Sequence, residues 1–288
     1  DDAHSGVPGG SVVGDQAGLF GRGTVGEGCD REDLELPGVQ RELVESVLET
    51  GTPVILVLLT GRPYALGWAI DRCAAIVQAF FPGEEGGTAI AEVLTGAVNP
   101  SGKLPVSLPR SAGSQPFTYR HPHLGGDSDV TSVSSAPVRE FGHGLSYTRF
   151  TFADLTVPPE IDTAGFLEVS VTVTNTGDRA GAEVVQVYGR DLVGSTTRPV
   201  AQLLGFHRIA LESGEARRVT IRIPLSRLAA TDRTLRRVVE PGDVDIWVGT
   251  SAVRALASTT TLVGEVHPIS VDDPRETTTC TSEVHSHA

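Results

Sequence analysis

A parallel α/β layer followed by an antiparallel β-sandwich is the fold class that this sequence predicts. Three observations carry it. The first 110 residues hold two successive units of apolar run, Gly-rich loop and helical periodicity; residues 111–137 are rich in Ser, Gly, Asp, His and Pro with no period; and beyond Phe150 come short alternating segments divided by turn signals. The domains expected are 1–110 for the α/β layer, 111–150 for an irregular linker, 151–265 for the sandwich and 266–288 for a polar tail.

The elements follow in order. Residues 11–15 (SVVGD) read as the end of a short buried strand running into the long loop 18–33, GLFGRGTVGEGCDRED. Pro37 suits the first turn of a helix, and Val39, Leu43, Val44, Val47 and Leu48 recur at helical spacing until Gly51 caps it. The continuous apolar run 53–60 (PVILVLLT) is the pattern of a strand covered on both faces. A second unit repeats this grammar: strand 74–80, loop FPGEEGG, and a helix over about 87–94 with Ile90, Val93 and Leu94 on one face. Ligands of such sheets sit at the carboxyl ends of the strands, the side on which the loops holding Glu27 and Glu84–Glu85 fall. In the sandwich, strands are expected at 167–175, 182–190, 202–210, 217–223 and 242–249, separated by turns such as NTGD, SGE and EPGD.

Composition narrows the partners. A net charge of −13 over 288 residues repels nucleic acid and anionic membrane surfaces. Cys29, Cys73 and Cys280 are odd in number and far apart, which fits neither a disulfide framework nor a zinc site, so reduced thiols are expected, with no metal and no cofactor. No run of about eighteen apolar residues and no signal-peptide pattern is present. The compartment stays open between cytoplasm and export, and the oligomeric state stays open too.

Six ordered stretches carry a resemblance. Residues 26–66 (GEGCDREDLELPGVQRELVESVLETGTPVILVLLTGRPYAL), 79–109 (AFFPGEEGGTAIAEVLTGAVNPSGKLPVSLP) and 141–150 (FGHGLSYTRF) resemble the C-terminal half of bacterial glycoside hydrolase family 3 β-glucosidases and β-xylosidases. Residues 171–188, 198–211 and 238–249 resemble the fibronectin type III-like domain that ends many members. The resemblance implies a truncated, flavodoxin-like parallel α/β sandwich followed by a fibronectin type III-like β-sandwich. It also implies a retaining, exo-acting β-glycosidase acting on a β-linked oligosaccharide or glycoside. In such an enzyme an aspartate from an N-terminal barrel attacks the anomeric carbon and a glutamate protonates the leaving oxygen, two carboxylates about 5 Å apart with unlike proton affinities. The barrel is expected to be absent from this chain, so the chain alone is expected to show little or no hydrolase activity. A truncated sheet would also expose an edge and favour association.

Many members place the acid/base in a Gly-Glu-Gly-aromatic-Asp-Arg segment, which Gly26, Glu27, Gly28, Cys29, Asp30 and Arg31 match except at Cys29. The resemblance therefore makes Glu27 the general acid/base and Gly26, Gly28, Asp30 and Arg31 its substrate-site loop. Flanking glycines let the backbone approach a sugar and project the carboxyl; Asp30 and Arg31 are expected to pair with each other and hold the loop. Glu84 and Glu85 are rival carboxylates, read instead as favourable charges at a helix start, and His143 as a hydrogen-bonded linker residue. Residues 21–26 (GRGTVG) match a dinucleotide fingerprint without the helix it requires, and 99–103 (NPSGK) lack the hydroxyl of a phosphate loop. The competing reading is a non-catalytic structural or interaction module; aromatics at 5% argue against an exposed sugar-binding strip.

Overall fold

The computed structural model describes residues 12–14 and 29–284. It divides into two compact units, one of residues 1–97, 106–117 and 127–139, the other of residues 98–105, 118–126 and 140–288. The stretch expected to be a linker is thus shared between both; within residues 111–149 the chain forms one 3-10 turn, His123–Gly125, and isolated bridges at Pro122 and Arg139.

The first unit is the α/β layer. Strands β1 (Val12–Gly14), β2 (Ile55–Leu59) and β3 (Ala75–Gln78) form a parallel sheet in the order β1-β2-β3, with Val12 opposite Val57 and Ile55 opposite Ala75. The central strand explains its apolar run: Leu56, Val57 and Leu58, which point alternately to the two faces, are all buried. By contrast β3, at an edge, is only half-buried.

Helix α1 spans Gln40–Glu49, a turn later than Pro37 suggests, because Gly38 adopts φ +58 and interrupts helical geometry. Val44 is fully buried, whereas Val39 and Leu43 are exposed, so only part of the apolar set forms the packing face. Helix α2 spans Gly86–Thr95 and ends on the left-handed Gly96, whose N–H reaches the Val93 carbonyl at 3.1 Å. Of its expected apolar face, Ile90 and Val93 are half-buried and Leu94 is exposed.

The second unit is the sandwich. One sheet has β4 (Phe150–Thr156), β6 (Phe166–Asn175), β9 (Ala216–Pro224) and β15 (Thr278–Glu283) in the order β15-β9-β6-β4. The other has β5 (Glu160–Asp162), β7 (Gly181–Asp191), β8 (Gln202–Leu211), β12 (Gly242–Gly249) and β13 (Leu256–Val263) in the order β5-β13-β12-β7-β8. A small ladder joins β10 (Ala230–Thr231), β11 (Arg237–Val239) and β14 (His267–Pro268). Alternation places the core: Leu167, Val169, Val171 and Val173 of β6 face Val185 and Val187 of β7 and Val244, Ile246 and Val248 of β12 in one buried cluster. Each such side chain contributes roughly 1.5–3 kcal/mol of burial. Strands β7 and β12 are covered on their other face as well, where Tyr188 stacks on Trp247 with centroids 5.6 Å apart and Tyr119 stacks on Phe141 at 4.4 Å.

Within the polar tail, whose order the sequence leaves open, residues 278–283 form β15, which pairs along β9 from Thr278–Arg222 to Glu283–Arg217. A side-chain clamp precedes it. His267 Nε2 lies 2.7 Å from Asp273 Oδ1, and Asp273 Oδ2 accepts the Ser270 N–H at 2.7 Å and its hydroxyl at 2.9 Å. The His267 bond, then those of Ser270, hold the Asp273 carboxyl down at about 2. With the folded value below the unfolded one of about 3.9, the clamp is at full strength above that range and is lost as pH falls through about 2. Protection of the amides over 267–283, measured against their intrinsic exchange rates, is expected to fall across that window, and Asp273→Asn to abolish the dependence; protection that does not change with pH there would remove the clamp from the account of the tail.

Candidate active site

The described residues that come nearest Glu27 in sequence are those just after it. Glu27, Gly26 and Gly28 lie outside the described residues; Cys29, Asp30 and Arg31 lie inside. From Cys29 the chain runs irregularly to α1 and is fastened to the turn after β2 at two points. Arg62 Nη2 donates to the Cys29 carbonyl at 2.7 Å, and the Ala65 N–H donates to the Leu34 carbonyl, also at 2.7 Å. Leu36 then plugs into the core. A second line of contacts supports the segment: Glu35 and Glu45 each lie 3.0 Å from the Arg41 guanidinium, which stands 5.0 Å from the centre of the Trp68 ring, and Trp68 Nε1 donates to the Ala65 carbonyl at 3.1 Å.

The expected pairing of Asp30 with Arg31 does not form. Arg31 reaches Asp33 instead, at 3.6 Å. Asp33 Oδ1 also accepts the Glu35 N–H at 3.0 Å.

Sequence reasoning missed the polar chain at the carboxyl ends of β2 and β3. Gln78 Nε2 donates to Thr60 Oγ1 at 2.9 Å, and the Thr60 hydroxyl donates to the Arg62 carbonyl at 2.9 Å. The available signals were small: a threonine closing the apolar run 53–60, an arginine two residues after it, and a glutamine inside the strand 74–80. Two residues beyond β3, Phe80 adopts φ +53, a strained conformation for a residue with a side chain and one that collects at functional sites.

Glu84 and Glu85 are both exposed at the start of α2. Glu85 is the N-cap by position but makes no side-chain cap hydrogen bond, so any benefit is through the dipole alone. In the second unit, His143 is a hydrogen-bonded residue: its carbonyl accepts the Leu104 N–H at 2.8 Å. Its Nδ1 lies 3.6 Å from Glu140. That imidazole, aided by Ser251 and opposed by burial, holds the Glu140 carboxyl at about 2. Lys103 of the phosphate-loop look-alike is committed to Glu183 at 2.8 Å and the Gly144 carbonyl at 3.0 Å, and the Asn99 side chain bonds the Tyr147 N–H, Ser146 and the Ala180 carbonyl. Among the described residues no group of His, Cys, Asp and Glu is arranged to hold a metal, and no helix is long and apolar enough to cross a membrane.

Residues 11–147 match the model of the glycosyl hydrolase family 3 C-terminal domain, and residues 183–252 that of the fibronectin type III-like domain. The chain carries a family 3 C-terminal domain. Among its curated relatives, the periplasmic β-glucosidase of Salmonella typhimurium is 39% identical over 255 residues, 85% of this chain and 33% of that protein. A β-xylosidase of Formosa agariphila is 42% identical over 237 residues, 80% of this chain and 32% of that protein. Of solved structures, a β-glucosidase from Erythrobacter marinus superposes with TM-score 0.78 at 40% identity, covering 88% of this chain and 34% of that one. A β-glucosidase from Listeria innocua in complex with glucose gives 0.79 at 33% identity, covering 84% and 35%. The family 3 chain thus spans about a third of the length of the proteins it matches. The α/β and all-β layout that the resemblance implies is the one observed.

Proposed function

We propose that the chain is the C-terminal part of a retaining, exo-acting β-glycosidase, a β-glucosidase or β-xylosidase, in which Glu27 is the general acid/base and Gly26, Gly28, Asp30 and Arg31 form the loop around it. The observation that carries the reading is the fastening of residues 29–36 at the carboxyl end of the central parallel strand, where α/β sheets present ligands, within a domain matched by the family 3 model. The names of the relatives support the substrate class. In this reading residues 1–110 are the α/β domain, 151–265 the fibronectin type III-like domain, and the partner is a nucleophile-bearing barrel on which the reaction depends.

Glu27 gives its proton to the glycosidic oxygen as the bond to the anomeric carbon breaks, while the barrel aspartate forms the glycosyl-enzyme. Glu27, now a carboxylate, takes the proton of the attacking water and the covalent intermediate is hydrolysed with net retention. A protonated acid matters most where the leaving group is poor. With the chain joined to a family 3 barrel, Glu27→Gln is therefore expected to lower kcat/KM for glycosides with poor leaving groups by about 10²–10⁴-fold and to spare kcat/KM for activated aryl glycosides, whose kcat falls because the glycosyl-enzyme then lacks its general base. The chain alone is expected to turn over neither. Survival of both activities in the variant would move the acid to Glu84 or Glu85.

A further inference from the structure

A net charge of −13 over 288 residues repels anions from the chain as a whole. Against that field, one cavity of about 840 Å³ in the sandwich unit is walled by Arg190, Arg198, Arg233 and His123 with a single carboxylate, Asp191. Its volume falls within the range of about 300–1,000 Å³ usual for small-molecule sites. We infer that this cavity binds a small molecule bearing one carboxylate, which Arg190 holds while Arg233 adds to the field. The inference is independent of the assignment of Glu27.

The cavity is framed by the protein's own bonds. The Arg198 side chain is 7% exposed and committed at all three nitrogens: Nε lies 2.9 Å from Asp191 Oδ2, Nη1 donates to Thr196 Oγ1 at 2.8 Å, and Nη2 donates to Glu240. Glu240 also accepts the Ser195 N–H at 2.9 Å, and the Thr196 hydroxyl donates to the Thr231 carbonyl at 3.0 Å. These bonds tie the loop 191–198 to β10 and to the residue after β11. A wall already fixed in place loses little freedom when a ligand arrives, which favours binding. They also occupy both nearby acids, Asp191 and Glu240, with Arg198.

What remains uncommitted is positive. Among the described residues the side chain of Arg190, half-buried at the end of β7, makes no hydrogen bond or ion pair. Asp245 stands opposite it in the ladder, but that carboxylate is committed to Arg254 at 2.6 Å and Thr259 at 2.9 Å and meets Arg190 only at longer range. Arg233 gives its Nε to the Ser195 carbonyl at 3.1 Å, and its terminal nitrogens have no partner among the described residues. Asp232 beside it faces Arg236 at 3.4 Å. A half-buried guanidinium without a partner has given up hydration that a carboxylate would restore through two parallel hydrogen bonds. The charge of the site also selects the anion. Arg190, Arg198 and Arg233 against Asp191 and Glu240 leave one positive charge, which a carboxylate matches and a phosphate ester, at about −1.5 to −2, exceeds.

The test titrates the full chain with glucuronate, lactate, glucose and inorganic phosphate at constant ionic strength, following the backbone amide resonances of 190–198. Glucuronate is expected to shift them with a dissociation constant of about 1 mM or tighter, and glucose, the same ring without a carboxylate, to leave them in place. Arg190→Gln is expected to weaken glucuronate by about tenfold or more, and Arg190→Lys, which keeps the charge but not the planar fork, by about threefold or more. Arg208→Gln makes the same change of charge on β8, outside the cavity, and is expected to stay within about twofold of the parent. If thermal melts show Arg190→Gln unfolded, Arg190→Lys carries the comparison. Lactate as tight as glucuronate supports the inference with a plain organic acid as ligand; a preference of about tenfold for glucuronate supports it with a sugar acid. Glucose binding as tightly as glucuronate, phosphate binding more tightly than either acid, or equal losses in Arg208→Gln and the Arg190 variant overturns it. So does an absence of shifts in 190–198 with both acids at about 20 mM.

Discussion

Replacing Lys103 by methionine is expected to lower the unfolding free energy of the sandwich unit by about 3–5 kcal/mol, the usual loss when one partner of a buried ion pair is removed. Lys103 Nζ lies 2.8 Å from Glu183 Oε1 with the two side chains 10% and 7% exposed, and it also donates to the Gly144 carbonyl at 3.0 Å. Methionine fills the space but leaves the Glu183 carboxylate desolvated, still accepting the Val184 backbone N–H at 2.6 Å. The double substitution Lys103→Met with Glu183→Leu removes both charges and is expected to recover most of the loss. Denaturant midpoints of the two singles and the double close the cycle; a double variant as unstable as the singles together would mean that packing, not charge, sets the cost.

Gly142→Ala is expected to cost about 2–5 kcal/mol, the sum of two separate penalties. Gly142 has φ +82, and a Cβ placed on it would stand 2.1 Å from Gln186 Oε1 and 2.9 Å from the Tyr188 hydroxyl. Those atoms cannot step aside cheaply. Gln186 donates to the Gly142 carbonyl at 3.1 Å and to the Thr250 carbonyl at 2.6 Å, and it accepts from Tyr188. The Tyr188 ring is itself stacked on Trp247. Gly214→Ala is the matched control: φ is +77, but nothing lies within 4 Å of the added carbon, so only the strain of about 1–2 kcal/mol remains. Equal thermal shifts for the two variants would show that the crowding at Gly142 is relieved without cost.

What could be read in advance depended on whether burial leaves a period. The segments 167–175, 182–190, 202–210, 217–223 and 242–249 are legible because their buried residues alternate or run together along the strand, and each lies within an observed strand. Strand β4 is harder, since a register shift between Ala153 and Thr156 and φ +53 at Asp154 break its alternation. Strand β15 is illegible in principle: all six of its residues are exposed, and it is held by backbone pairing that selects no apolar residue. On the α/β side the helices follow from periodicity, while the start of α1 turns on one left-handed glycine. The candidate site divides in the same way. The Gly-Glu-Gly pattern is local and can be seen in the sequence, whereas the contact of Arg62 with a backbone carbonyl 33 residues away leaves no trace in residue type or spacing.

A strand that adds nothing to the core still changes what the surface offers to other molecules. Without β15, the outer flank of β9 would present unpaired N–H and C=O groups along a nine-residue strand that carries Val219, Ile221 and Ile223, a template on which a second chain could extend the sheet. With β15 in place the terminal row belongs to TTCTSE, shorter and without a branched aliphatic residue. The last described stretch of the chain thus acts as a selvedge, finishing the sheet so that it does not grow.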